Sequence, residues 1–181
     1  QQSIMKKYNL MTFKINKQYY LIIVLVFTIV SCESDYSKLV KRELATGIKN
    51  DSLFFGMKFN DTKQDFFDIC KDLNGKNLIS EGPQNKFAKY TIKSKIEKES
   101  TIQMLFYGIF NKEKIMTGLD MRLSYDAWSP WNKKYYADKL IPSIKDTLQK
   151  WFPGNDFIQV DLKKLNKVAY VKIDGNRHIK M

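Results

Sequence analysis

The sequence predicts an α+β domain in which an antiparallel sheet of about five to seven strands, built from hairpins, packs with two or three helices. Three observations carry that prediction. Strand-like and helix-like segments are segregated along the chain rather than alternating one for one. Neighbouring strand segments are joined by connections of hairpin length, at Glu81-Gly82-Pro83, Asn111 to Lys114 and Asp174 to Arg177. Between Ile115 and Ser124, apolar and polar residues alternate with a period of two, the pattern of a strand with one face in a core and the other near water. The chain of 181 residues is 44% hydrophobic, 28% charged and 14% aromatic, which excludes a disordered, collagenous or polytopic membrane protein. It contains no repeats and no low-complexity tract.

The first 31 residues read as a targeting segment. Lys6, Lys7, Lys14 and Lys17 form a basic lead, an apolar run extends from Tyr19 through Val30, and the small residue Ser31 precedes Cys32. Met5 is the first plausible start and Met11 a second. The apolar run is about a dozen residues, shorter than the roughly 20 that a helix needs to cross hydrocarbon. Ile29-Val30-Ser31-Cys32 resembles the lipobox of bacterial lipoproteins, in which the peptide is cut before the cysteine and lipid is attached to its thiol. The resemblance implies a signal peptide over residues 1–31, a membrane anchor of palmitate type on Cys32 and a short tether over residues 32–38. It leaves a single domain over residues 39–181. One acyl chain gives only marginal attachment, at about 0.8 kcal/mol per buried methylene, whereas two or three on one residue hold a protein at a bilayer.

Removal of residues 1–31 takes four lysines and no acid, so the remainder carries 27 basic against 19 acidic residues. That net charge of +8 is nearly all lysine, because only Arg42, Arg122 and Arg177 are arginines. Nucleic acid is excluded as a partner, since base and phosphate readout favours the arginine fork. An evenly solvated lysine surface is the simplest reading of the charge.

In the domain, Leu39, Val40, Leu44 and Ile48 predict a helix over 37–48, ended by Asn50-Asp51. Leu53, Phe54, Phe55, Met57 and Phe59 predict a buried strand or extended entry over 52–59. Phe66, Ile69, Cys70 and Leu73 form the stripe of a helix from Thr62 to Leu73, with Asp61 as its cap, Gln64 as capping-box partner and Asn74-Gly75 as its stop. Leu78 to Ser80 and Phe87 to Ile92 form a hairpin, and a charged connection follows over 92–100. Thr101 to Phe110 and Ile115 to Ser124 form the central antiparallel pair, with Ile115, Thr117, Leu119, Met121 and Leu123 facing the core. Tyr136, Leu140, Ile144, Leu148 and Trp151 mark a helix over 135–152, kinked or divided at Pro142. Phe157 to Val160 and Val168 to Ile173 are the last long strands. Asp174 to Arg177 then turns the chain back through His178 and Ile179.

Chemistry is thinly signalled. Two cysteines and one histidine point to no metal site and no cofactor. Glycine-rich phosphate loops, Gly-x-Ser-x-Gly elbows and His-Glu-x-x-His are all missing from the sequence. Cys70 lies in an apolar stripe and reads as a core residue, and His178 as a residue at a strand edge. Asp120 and Asp126 form the one candidate carboxylate pair, which would suit an envelope hydrolase if their groups lay about 5 to 10 Å apart. Arg122 beside Asp120 offers the simpler explanation of cross-strand charge pairing. Tyr125, Asp126, Trp128, Trp131 and Asn132, with Tyr135 and Tyr136 behind them, form the richest constellation. Flat apolar rings beside oriented polar groups suit a rim that stacks on sugars or grips a peptide. The alternative is that both indoles close the end of the core and Asp126 or Asn132 caps the next helix.

Cys32 in its lipobox, Glu43-Leu44-Ala45-Thr46-Gly47, Leu53-Phe54-Phe55-Gly56, Tyr125 through Asn132 and Val171 through Arg177 together resemble a family of small uncharacterised lipoproteins of Bacteroidota. The resemblance implies an exported, membrane-anchored domain in the cell envelope, at the outer membrane in preference to the inner. It brings no activity and no catalytic residue with it. The expectation is a non-catalytic binding or assembly module for an envelope protein or glycan, and the sequence leaves its oligomeric state open.

Overall fold

The computed structural model describes residues 34–83, 86–93, 100–162 and 166–181. The signal segment, Cys32 and residues 94–99 of the charged connection lie outside the described residues. Among the described residues three α-helices and seven strands make an α+β fold. Helix α1 spans Asp35–Ala45, so the expected tether is already helical from Asp35. Ser34 starts it, its hydroxyl accepting the Ser37 amide at 3.1 Å. Gly47, at φ 67°, ends it earlier than expected. Leu44 and Ile48 are exposed and Glu43 is the buried residue of this helix, which corrects the expected apolar stripe.

Residues 52–59 form a tight turn rather than a strand, closed by a bridge between Ser52 and Lys58. Its centre is Phe55 and Gly56, at φ 54° and 81°. Helix α2 spans Lys63–Gly75 and is capped by Thr62, with Asp65 as its reciprocal partner. The expected pair was one residue earlier; Asp61 instead accepts the Lys58 amide through its carboxylate, at 2.6 Å. Phe66 and Leu73 are buried as the stripe predicts.

The seven strands divide into two antiparallel sheets, not one. In the first, β1 (Ser80–Glu81), β2 (Ala88–Ile92), β3 (Ile102–Phe110) and β4 (Met116–Tyr125) lie in sequence order. Leu119, Met121 and Leu123 stand opposite Gly108, Phe106 and Met104 and share the core face. The register shifts between Ile109 and Phe110, which pair with Gly118 and Met116. Thr117 is therefore the extra residue of a bulge. A bulge reverses the alternation, so Met116 is buried and Thr117 exposed, the opposite of the regular pattern.

Helix α3 (Ala137–Trp151) passes through Pro142 as one helix, with Leu140, Ile144 and Leu148 buried. The second sheet follows in the order β5 (Ile158–Leu162), β6 (Lys167–Asp174), β7 (Arg177–Lys180). Its strands pair with their chain neighbours through short connections, and none pairs with β4 among the described residues. One core cluster joins Phe54, Met57, Phe66 and Leu73 to Met104, Phe106 and Met116. The other surrounds α3 and joins it to Ile102 and Tyr125 of the first sheet and to Ile179 and Met181 at the end of the second.

Candidate functional site

The loop after β4 is fixed at both ends by buried rings. Tyr125 and Tyr135 are core residues whose rings lie 5.1 Å apart. Between them the backbone is tied down: the Asp126 amide donates to Thr101 O at 2.9 Å, Trp128 to Tyr125 O at 3.1 Å and Asn132 to Ser129 O at 3.0 Å. The Tyr136 hydroxyl donates to Pro130 O. On this frame Trp128 is 53% and Trp131 84% exposed. The indoles therefore do not close the core; the two tyrosines do. Asn132 precedes a short 3₁₀ turn over Lys133–Tyr135 without capping it through its side chain. Asp126 caps no helix either, because its carboxylate accepts the Gln103 side-chain amide.

Asp120 and Asp126 do not meet. Five residues of strand from Asp120 to Tyr125 rise about 17 Å, well beyond the separation of a glycosidase pair. Asp120 is instead bound by Arg122 at 3.1 Å, the charge pairing that the sequence offered as the simpler explanation. Cys70 is half-buried, and that burial pushes its thiol up to about 11, the opposite of an activated nucleophile. His178 on β7 is partly buried. Burial first, and the neighbouring Lys180 second, hold its pKa below the ordinary value.

No family model, curated protein or solved structure matches the chain.

Beyond the loop, the fold assembles a buried polar cluster that sequence reasoning missed. Lys172 has no exposed surface, and its ammonium lies 3.1 Å from Asp174 Oδ2. It also donates to Asn155 O. Arg177 binds the same carboxylate oxygen at 3.5 Å and donates to Ser52 O at 3.4 Å, with its guanidinium over the Phe152 ring. Asp174 Oδ1 accepts the Asn155 amide at 2.7 Å. Glu43, also buried, accepts the Gly175 amide at 3.4 Å. One buried acid, Asp174, thus pairs with two buried cations of the same hairpin, and Asn155, Ser52 and Glu43 bring three other stretches of chain against it. The β6–β7 turn is turn chemistry, as expected, and it also knots the domain together. Its charged groups are turned toward one another, which suits a structural role, although Arg177 Nε is buried without a hydrogen-bond partner. Among the described residues no group of three His, Cys, Asp or Glu side chains gathers to hold a metal ion, and no helix is long and apolar enough to cross a membrane.

Proposed function

We propose that this protein is a lipid-anchored bacterial envelope lipoprotein of the Bacteroidota type, held through Cys32, whose domain is a non-catalytic binding or assembly module. Its partner is another envelope component, a protein or a glycan, and the Trp128/Trp131 loop is the docking rim. The observation that supports the binding role is the exposure of both indoles on a loop whose backbone is pinned. Two solvated tryptophans forgo the burial that usually repays so large an apolar side chain, and a pinned loop loses little entropy when a partner covers them. The lipobox sequence supports the anchor, and outer-membrane placement follows from the same resemblance.

Two measurements test this reading. Cells expressing wild type and Cys32→Ala are fractionated, with protease added to intact cells; wild type stays with membranes and the variant is released. Equal fractionation of the two would overturn the anchor. Retention of the protein by purified envelope polysaccharide and by detergent-solubilised envelope proteins is then compared with that of a Trp128→Ala/Trp131→Ala variant. A loss of at least tenfold at an unchanged thermal midpoint is expected, and equal retention removes the loop from the interface.

A further inference from the structure

The loop after β4 carries two flat apolar faces in a polar setting. Both indoles are exposed, and among the described residues neither touches another aromatic ring. Trp128 and Trp131 are therefore two separate platforms, not one stacked pair. No other large apolar side chain of β4, the loop or α3 is exposed among the described residues. The neighbours are polar: Asp126, Ser129, Asn132 and Lys133. Asp126 gives its Oδ1 to the Gln103 side chain, and its Oδ2 has no partner among the described residues. The Asn132 side chain, which caps nothing, likewise makes no hydrogen bond among them. Two solvated hydrogen-bonding groups thus stand beside two solvated ring faces.

This setting decides between a protein and a glycan as the partner of the loop. A protein interface gathers its aromatic anchors into an apolar core, depleted of charge, within about 800 Å² on each partner. Here the surround is hydrophilic, with Asp126 and Lys133 in it. A sugar needs that surround. A pyranose with equatorial substituents presents axial C–H bonds on its two faces, which lie flat on an indole, and a rim of hydroxyls that need hydrogen-bond partners. We propose that the Trp128/Trp131 loop binds an uncharged glycan chain of such sugars, one ring on each indole, with Asp126 Oδ2 and the Asn132 amide taking hydroxyls. The inference rests on the reading of this loop as the docking rim, and it commits that rim to a glycan. Charge does not select the ligand. A net +8 over residues 32–181 attracts any polyanion without a built site, so a neutral chain is the probe whose binding reports the loop.

The test titrates the full chain, in micelles of a detergent that carries no sugar, with cellohexaose and with chitohexaose, read by calorimetry and by tryptophan emission. The expected result is saturable binding of one or both hexaoses, with a shift in emission. Glucose and N-acetylglucosamine, which cover one platform, should bind at least tenfold more weakly. Trp128→Ala and Trp131→Ala should each weaken hexaose binding at least tenfold at an unchanged thermal midpoint, and Trp131→Phe, which keeps a flat ring, should recover much of that loss. Raising salt from about 0.1 M to about 1 M, which cuts the Debye length from about 10 Å to about 3 Å, should change the affinity less than about twofold. Absence of binding by both hexaoses, equal binding of the single sugars, loss of binding in salt, or indifference to the tryptophan variants would each overturn the proposal. If the hexaoses fail while Trp128→Ala/Trp131→Ala still loses solubilised envelope proteins, the glycan inference falls and the loop remains a rim for a protein. If the double variant loses neither, the rim reading falls with it.

Discussion

Asp174 stands between two buried basic side chains, Lys172 and Arg177, and is the carboxylate that pairs with both inside the domain. Truncating one partner of such a cluster leaves an uncompensated charge out of water, which costs about 3–5 kcal/mol. Asp174→Ala should therefore lower stability by about that amount in a urea titration, and a double variant Lys172→Met/Asp174→Ala should recover part of the loss. If the single and double variants lose equally, the cluster contributes through packing rather than charge. His178 sets the pH response. Its folded-state pKa lies below the ordinary value, so the native chain binds this proton more weakly than the unfolded chain does. Its share of stability is present above about pH 6.5 and is lost as pH falls below it. The urea midpoint should drop between pH 7 and pH 5, and His178→Gln should flatten that part of the profile. Among these residues, Trp128 and Trp131 were legible as a site candidate because two tryptophans so close to Asp and Asn are unusual. Their exposure was not legible, since a tryptophan beside a core reads the same either way. Lys172 was invisible, because Asn155 meets it only after folding and nothing in the local sequence marks a lysine with no exposed surface.

The helices show how local signals fix an element while leaving its ends open. Asn74-Gly75 and the Phe66/Leu73 stripe placed α2, yet Asp61 and Thr62 are both good caps, and sequence alone does not choose between adjacent ones. The structure does: Asp61 is taken by the preceding turn, and its carbonyl accepts the Met116 amide at 2.8 Å. Thr62 is left to cap, with its hydroxyl accepting the Asp65 amide at 3.1 Å. Thr62→Ala should cost about 1 kcal/mol in thermal or urea unfolding, whereas Gln64→Ala, whose side chain bonds Asp68 on the exposed helix surface, should change little. The reverse ranking would restore the Asp61/Gln64 register. In β4 the period of two correctly assigned Leu119, Met121 and Leu123 to the core. It failed at Met116 and Thr117 because one bulged residue inverts every side chain before it, and nothing in the local composition marks that extra residue.

At the scale of the molecule, the division into two sheets follows from where α3 lies. The chain leaves β4 at Tyr125 and spends residues 137–151 in the helix, and β5 then pairs with β6 instead of returning to the open β4 edge. Hairpin-length connections predicted the pairings within each sheet. They carried no information about whether the two sets join, because that choice is made by long-range packing. Helix α3 takes the place of the missing strand contact: Leu140, Ile144 and Leu148 pack in one cluster with Ile102 and Tyr125, against which Ile179 and Met181 also lie. The two sheets should therefore unfold together although, among the described residues, no strand of one pairs with a strand of the other. Ile144→Ala should cost about 2–5 kcal/mol, as large-to-small changes in cores do. Hydrogen exchange in Met104 to Phe106 of β3 and in Val171 to Ile173 of β6 should accelerate by the same factor. If β6 exchanges faster while β3 keeps its protection, the second sheet is a separate cooperative unit.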